Sequence, residues 1–141
     1  KLDMGVITSK GIVGIIDNVS YKYSTTQSIL NTNSQINAKL KSSKHFGSLI
    51  WNTGNPNIVQ LIDIPRLAPV KIGDTIVTGG KSTIFPEGIL IGTVLKLNPG
   101  NTADNKIDVK LFNDMSNLRY VYVVKNLDKE EILSLENTKN E

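Results

Sequence analysis

The chain has 141 residues and a mass of 15.5 kDa, with 39% hydrophobic and 21% charged residues. This length suits one domain or two very small ones, and the composition is that of a globular protein rather than a disordered one. The net charge of +3 is a small excess spread along the chain, which is not the footprint of a nucleic-acid-binding protein. The sequence contains no cysteine, which excludes disulfides, thiolate zinc sites and cysteine nucleophiles.

Residue usage favours β-structure. The sequence contains 39 Ile, Val and Thr residues and three Ala residues, a balance typical of strands. Runs of period two, separated by Gly, Pro or Asn, recur at the spacing of a sandwich or small barrel. In chain order they predict strands at Met4 to Thr8, Gly11 to Val19, Thr26 to Leu30, Gln35 to Lys41, Phe46 to Trp51, Ile58 to Asp63, Thr75 to Thr78, Ile89 to Leu97 and Lys106 to Phe112.

The last predicted strand spans Leu118 to Lys125 and reads LRYVYVVK. Apolar residues occupy both alternating sets, so we expect both of its faces to be mostly covered. After it, Asp128 to Leu135 predicts a short helical turn, and the final six residues are polar. We expect a tail at residues 127–141 that is either a helical turn or disordered.

The sequence carries a faint internal repeat. Val6 to Thr8 followed by Gly11 to Ile16 is echoed by Ile76 to Thr78 followed by Gly88 to Val94. Each copy predicts a strand, a turn with glycine, and a second strand whose internal glycine relieves crowding at a bend or bulge. Two related β modules are the economical interpretation, although such patterns also arise by chance in a β-rich chain.

Catalytic chemistry finds little support in the sequence. His45 is the only histidine, it lies in a polar turn, and no Gly-x-Ser-x-Gly motif accompanies it. The aspartates fall mainly at strand ends and turns, where they bond backbone amides. We therefore predict no catalytic residue, and the weaker alternative is a degenerate trypsin-like hydrolase.

Ligand sites are equally weak. No metal-ligand spacing is present, and the glycine pair of Thr78 to Thr83 is followed by Ile84-Phe85-Pro86, which cannot begin a long helix around a phosphate. Aromatic residues are too few and scattered for a nucleic-acid platform, so a ligand- or oligonucleotide-binding barrel stays a minor alternative. The prediction is no metal, no cofactor and no nucleic acid. No apolar run approaches the roughly 20 residues of a membrane span, so no direct membrane insertion is expected either.

Phe85 and Pro86 place a large apolar group at a rigid turn. Two interpretations remain open: the pair plugs a barrel end, or it forms an exposed knob that docks a partner through an aromatic anchor.

Six motifs occur in an order that resembles the MreC family of rod shape-determining proteins. The resemblance spans about residues 4–125. The motifs are Gly11 to Gly14, Gly47 to Trp51, Leu61 to Arg66, Lys71 to Thr78, Phe85 to Gly92, and Asn113 to Val124.

The resemblance implies a non-enzymatic scaffold of the bacterial cell-elongation machinery, on the extracytoplasmic face of the inner membrane and tethered by an N-terminal membrane helix. It implies paired small six-stranded antiparallel β-barrels, similar to the double barrel of trypsin-like proteases without their active site. It also implies a role in cell shape and peptidoglycan biosynthesis. The implied partners are the class B penicillin-binding transpeptidase, MreD, RodZ and the MreB complex, together with self-association of the intact protein.

The sequence departs from the family pattern in two ways. From the resemblance we expect it to be an excised soluble portion, without the membrane helix, the coiled coil and the strand that usually precedes Met4. The missing strand predicts a bare edge beside Met4 to Thr8, open to pairing with another chain. In addition, Thr78 to Ser82 differs from the Thr-Ser-Gly of relatives.

From these observations we expect a first barrel module at residues 1–65, a second at 66–126, and the tail beyond. The prolines near residues 65 to 69 set that boundary. We expect the partner surface to be a mostly apolar patch of one barrel, because aromatic and arginine side chains dominate interface energies. The candidates are Arg66, Phe85, Pro86, Tyr120 and Tyr122; Lys39, Lys41 and Lys44 are the alternative if binding is electrostatic.

Overall fold

The computed structural model describes the chain as two β-sheets. The described residues are 4–19, 24–30, 36–43, 45–51, 54–65, 67–81, 84–99, 104–115, 118 and 120–124. The strands are β1 (Gly5–Thr8), β2 (Gly11–Val19), β3 (Ser24–Ser28), β4 (Ile36–Leu40), β5 (Phe46–Ile50), β6 (Ile58–Pro65), β7 (Thr75–Thr78), β8 (Leu90–Pro99), β9 (Asp104–Leu111) and β10 (Tyr122–Val124). All pairings between them are antiparallel. The all-β prediction is therefore confirmed.

Six of the strands close into a barrel in the order β4-β5-β6-β9-β8-β7, with β4 pairing back to β7. Alternate residues point inward, as the period-two pattern requires. They pack an apolar interior whose most deeply buried members include Ala38, Leu40, Leu61, Ile64, Ile76, Ile107 and Val109. Closure leaves every strand of this barrel with two neighbours.

A bulge in β6 shapes one side of the barrel. Leu61 pairs with Ile107 and Ile64 pairs with Asn105, so β6 carries one more residue than β9 between these pairs. Asp63 absorbs the extra length with a positive φ of 67°, a conformation that aspartate tolerates better than most side chains. The bulged strand brings the Ile62 carbonyl against Gly47 of β5, where a Cβ atom would collide with it.

The second sheet has four strands in the order β10-β1-β2-β3. Its outer face buries a small apolar cluster of Val6, Val13 and Ile16. Its other face packs on the barrel, because Ile12 and Ile29 belong to the same buried cluster as the barrel interior. The sheet therefore shares most of its core with the barrel and has only a small core of its own.

The two sheets meet at a tight junction. The ring of Phe85 lies so close to Gly5 that a Cβ atom there would collide with it. A Cβ atom on Gly11, which has φ 152°, would lie 2.5 Å from the Leu90 carbonyl oxygen of β8. Glycine is needed at both positions because backbone or ring atoms fill the space of a side chain.

The internal repeat corresponds to two similar hairpins in different sheets. β1 and β2 form one, with a register shift between Val6 and Ile7. β7 and β8 form the other, with a shift between Ile76 and Val77. These are equivalent positions of the two sequence copies, so both copies adopt a strand pair with an irregularity at the same point.

Three expectations about organisation need correction. The predicted boundary between residues 65 and 66 falls between β6 and β7, which both belong to the one closed barrel. Between Pro65 and Pro69, the Ala68 N–H donates to the Pro65 carbonyl and the Ala68 side chain is buried in the core. Among the described residues the second sheet is four-stranded rather than a second six-stranded barrel.

Finally, β1 is not a bare edge, because β10 pairs with it. The tail at 127–141 lies outside the described residues.

Candidate protein-binding surface

An apolar surface follows β10, the strand at one edge of the second sheet. Its exposed side chains are Leu118, Tyr120, Val121, Tyr122 and Val123, and these five residues are named here the β10 surface. They make up most of the exposed large apolar residues of the described chain, and they are consecutive or nearly so. Clustered apolar exposure of this kind marks interaction sites, whereas scattered apolar residues are normal on any surface.

The exposure of β10 follows from its pairing. The strand pairs with β1 through Gly5 to Val124, Val6 to Val123 and Ile7 to Tyr122. No strand among the described residues pairs with its other edge. Tyr122 and Val123 point to opposite faces, yet they are 59% and 54% exposed. The expectation that both faces of this strand are mostly covered is therefore wrong. A strand with a neighbour on one side only leaves side chains on both of its faces partly exposed to solvent.

A cleft of about 360 Å³ lies beside the β10 surface. Its walls come from the β1–β2 turn at Thr8, Ser9 and Lys10, and from Asn113 and Asp114 after β9. Leu118, Tyr120 and Tyr122 supply its apolar side. The cleft thus joins amphipathic tyrosines to one lysine and several hydrogen-bonding groups, a combination suited to contacts with a polypeptide.

Asn113 holds the two walls of the cleft together. Its side-chain Nδ2 donates to the carbonyl oxygens of Gly11 and Ile12, each at 2.9 Å, and its Oδ1 accepts from the Thr8 hydroxyl. The Asn113 side chain is buried, and these bonds give both its Oδ1 and its Nδ2 a partner within the protein in place of water. The residue follows the barrel strand β9 and bonds the β1–β2 hairpin of the sheet, so it fixes the hairpin on the barrel.

The structure separates the five sequence-predicted partner residues. Tyr120 and Tyr122 lie together in the cleft and are exposed. Phe85 is only 1% exposed, within the shared core and against Gly5, so its ring is not an exposed knob. Pro86 is half-buried, and its carbonyl accepts from the Thr78 hydroxyl at 2.7 Å. Arg66 lies outside the described residues.

The basic alternative is less favoured by the geometry. Lys39 forms an ion pair with Glu87 and lies 5.9 Å from the centre of the Phe46 ring. Lys81 lies 4.1 Å over the same ring. Lys41 is exposed, and Lys44 lies outside the described residues. Of the three candidate lysines, Lys39 is thus already paired with Glu87, and the neighbouring Lys81 lies over the Phe46 ring.

Sequence reasoning did not single out Asn113 or the β1–β2 turn. A polar residue after a strand gives no signal of the distant carbonyls that it will bond. Within the described part of the chain, no group of three or more His, Asp or Glu residues is placed to hold a metal ion. The same residues include no helix with the length and apolar character to cross a bilayer.

Comparison with known sequences places the chain among cell-shape proteins. The family model described as rod shape-determining protein MreC, barrel core, matches residues 1–125. The cell shape-determining protein MreC of Listeria monocytogenes is 27% identical over 129 residues, covering 89% of this chain and 44% of the relative. MreC of Cereibacter sphaeroides is 27% identical over 122 residues, covering 86% and 38%. The chain therefore spans less than half the length of these curated relatives.

Solved structures agree on the fold. MreC of Listeria monocytogenes superposes with a TM-score of 0.83 at 27% identity, covering 89% of this chain and 62% of that one. The major periplasmic domain from the cell shape-determining filament MreC gives 0.76 at 21% identity, covering 89% and 78%. A complex between a penicillin-binding protein and MreC from Helicobacter pylori gives 0.73 at 17% identity, covering 88% and 78%. The last two likenesses concern the fold alone.

Proposed function

Because the chain belongs to the MreC family of rod shape-determining proteins, we propose that it is a non-enzymatic scaffold that binds a class B penicillin-binding transpeptidase through the β10 surface. The observation that carries this proposal is the clustered apolar exposure of the β10 surface beside a cleft with polar walls. A related fold is known in a complex with a penicillin-binding protein, which supports the choice of partner.

The energetics of interfaces favour this surface. Interface energy concentrates in a few aromatic and arginine anchors, and tyrosine combines a large apolar area with a hydroxyl. Tyr120 is 80% exposed and Tyr122 is more than half exposed, so both rings have most of their area left to bury. With Phe85 in the core, these two tyrosines are the remaining aromatic residues among the predicted partner candidates.

A scaffold role agrees with the surroundings of the only histidine. The backbone N–H of His45 bonds the Ser43 hydroxyl at 3.2 Å, which makes this serine an acceptor in a local turn. Such a local bond from a backbone N–H to a serine hydroxyl is a common structural role of serine in turns.

The wider assignment follows the family. The scaffold would act on the extracytoplasmic side of the inner membrane, since the periplasmic domain of an MreC filament has the same fold. In the intact protein it would also work with MreD, RodZ and the MreB complex, and it would self-associate.

The test is a binding measurement with the transpeptidase ectodomain. Replacing Tyr120→Ala together with Tyr122→Ala should weaken binding at least about tenfold, because each aromatic anchor contributes on the order of 1 to 2 kcal/mol. Ile72→Ala is the matched control, since Ile72 is an apolar residue 71% exposed away from β10. All variants should keep the wild-type melting temperature.

Equal affinity of the double variant and the wild type would refute the role of the β10 surface. If binding instead collapses with added salt and ignores both tyrosines, Lys39 and Lys41 become the better candidates.

A further inference from the structure

The barrel carries a second set of exposed apolar side chains, on the connection between β6 and β7 and on the adjoining part of β8. Leu67 is 96% exposed, Ile72 is 71% exposed and Leu95 is 42% exposed. The Gly73 N–H donates to the Val94 carbonyl at 2.9 Å, so Ile72 and Leu95 each follow or precede one member of a bonded pair. Among the described residues, three of the four large apolar side chains exposed outside the β10 surface belong to this region.

The first turn of the connection projects Leu67 away from the barrel. The Ala68 N–H donates to the Pro65 carbonyl at 3.0 Å, which places Leu67 within this turn. The Ala68 side chain is buried, and Val70 packs against the barrel core. The connection therefore rests on the core through Ala68 and Val70, while the Leu67 side chain takes almost no part in that packing.

The second turn projects Ile72 in the same manner. The Asp74 N–H donates to the Lys71 carbonyl at 3.1 Å, and Gly73 has a φ of 93°, which suits the third position of a type II turn. Ile72 thus occupies the second position. A Cβ atom on Gly73 would meet nothing within 4 Å, so this turn is open to solvent. The Leu67 and Ile72 side chains are named here the apolar tips.

The charges described beside the apolar tips are balanced. Lys71 and Lys96 are exposed. The Asp74 carboxylate accepts from the Lys71 backbone N–H at 2.9 Å, and Asp108 lies opposite Lys96 on β9. Two lysines and two aspartates give this region little net charge, so apolar area is what an occupant would bury.

The size and chemistry of the region favour a lipid surface over a protein. A protein partner or a second copy needs about 800 Å² on each side, with aromatic or arginine anchors at its centre. Three aliphatic side chains supply only a small part of that area, and residues 66–74 include no aromatic residue. A bilayer surface takes up separate projecting apolar side chains without shape complementarity, and lysines beside them extend to the headgroups.

We propose that the apolar tips dip into the headgroup region of a phospholipid bilayer and orient the barrel on it. The contact is peripheral and spans nothing. A contact made by so few apolar groups is weak and reversible, so it acts on a chain already held at a membrane. The inference shares with the proposed function only this location, and it does not depend on the transpeptidase.

The test holds the chain on vesicles and measures the environment of the tips. An N-terminal hexahistidine tag attaches the chain to phosphatidylcholine vesicles that contain a nickel-chelating lipid. An environment-sensitive fluorophore is placed on Lys71→Cys, beside the tips, or on Asn57→Cys, in the exposed turn before β6. The natural chain has no cysteine, so each label is unique. We expect a blue shift and a loss of acrylamide quenching at position 71 and neither at position 57; equal behaviour of the two positions overturns the proposal.

Matched variants show whether the tips cause the signal. Leu67→Ser together with Ile72→Ser, in the chain labelled at Lys71→Cys, should abolish the blue shift without changing the melting temperature, since both side chains are mostly exposed. Val121→Ser together with Val123→Ser removes exposed apolar groups of the β10 surface and should leave the shift intact. An unchanged shift in the tip variant overturns the proposal.

Salt and free partners separate the remaining occupants. Because the charges are balanced, the shift should persist in salt and should be similar with anionic vesicles. A shift that needs anionic lipid and disappears in salt overturns the role of the apolar tips. So does a shift produced without vesicles, either by raising the chain concentration, which indicates a second copy, or by the ectodomain, which indicates a protein partner. If the ectodomain fails to bind at all while the vesicle shift remains, the proposed function falls and this inference stands.

Discussion

The closed barrel and the four-stranded sheet use similar strands but treat their edges in opposite ways. In the barrel, β4 pairs with β7, so each strand is bonded on both sides. In the sheet, β10 pairs with β1 alone among the described strands, and its apolar residues are exposed on both faces. The β1–β2 and β7–β8 hairpins even share the position of their irregularity. The same local pattern therefore occurs in a closed barrel and in a sheet whose described edge strand exposes apolar side chains.

The barrel and the sheet differ in how much apolar core each contains. The barrel carries most of the buried apolar side chains, whereas the sheet buries only Val6, Val13 and Ile16 in a cluster of its own. The sheet depends on the barrel for the rest of its core. We therefore expect the largest stability effects in the barrel, intermediate effects at the junction, and the smallest at β10.

The largest effect should come from Ile107→Ala in the barrel, which should lower the free energy of unfolding by about 2 to 5 kcal/mol. Ile107 is fully buried and lies between Leu61 and Leu97 on the neighbouring strands. The matched change in the sheet is Ile16→Ala, for which we expect about 1 to 2 kcal/mol, because its cluster has few buried members. Urea unfolding measures both. Equal losses would contradict the division between a main core and a minor one.

The next effect tests the junction. Asn113→Ala should cost about 1 to 3 kcal/mol, because it leaves the Gly11 and Ile12 carbonyls without their buried donor. Asn113→Asp should cost more, since it replaces that donor with an acceptor facing two carbonyl oxygens. Hydrogen exchange should accelerate in β1 and β2 more than in the barrel. Asn57→Ala, at an exposed turn, is the control and should leave exchange unchanged. Uniform acceleration across the chain would argue against a specific clamp.

A smaller effect tests the bulge that shapes the barrel. Asp63→Val should cost about 1 to 2 kcal/mol, because a β-branched side chain is poorly suited to the positive φ at this position. Asp63→Asn should be close to neutral, since asparagine adopts this conformation readily. Thermal unfolding of the two variants gives the comparison. If valine and asparagine are equally tolerated, the backbone at Asp63 is not constrained as described.

The order of strands along the chain was predictable, while their arrangement in space was not. Alternation and glycine punctuation located the strands closely, and Thr75–Thr78 was predicted with its observed bounds. Closure depends on pairs such as Ile64 with Asn105, which lie far apart in sequence. Period-two patterns say which face a residue takes but not which strand lies beside it. A boundary placed at prolines therefore cut through the barrel.

The candidate site shows the same limit. The predicted strand from Leu118 to Lys125 drew attention to Tyr120 and Tyr122, but its apolar residues in both alternating sets suggested that both faces were covered. Only the pairing with β1 alone explains why they are exposed. Phe85 was also a predicted partner residue, yet it is buried, because Gly5 has no Cβ atom and so leaves room for the Phe85 ring in the core. Neither the pairing of β10 with β1 nor the contact of Phe85 with Gly5 can be predicted from the local sequence.

The smallest effect on stability should come from the β10 surface. Tyr122→Ala should change the free energy of unfolding by less than about 1 kcal/mol, since the side chain is mostly exposed and has one cross-strand neighbour, Ile7. Chemical denaturation measures this change. A loss as large as that of Ile107→Ala would return Tyr122 to a structural role.

Site-directed photocrosslinking tests the central claim, that the partner contacts the open sheet rather than the closed barrel. The natural chain has no cysteine, so a single one can be labelled without background. Tyr122→Cys and Ile72→Cys would each carry the same photoreactive maleimide, one on the sheet and one on an exposed turn before β7. With the transpeptidase ectodomain, we predict strong crosslinking from position 122 and little from position 72. Crosslinking from position 72 with none from position 122 would contradict the account.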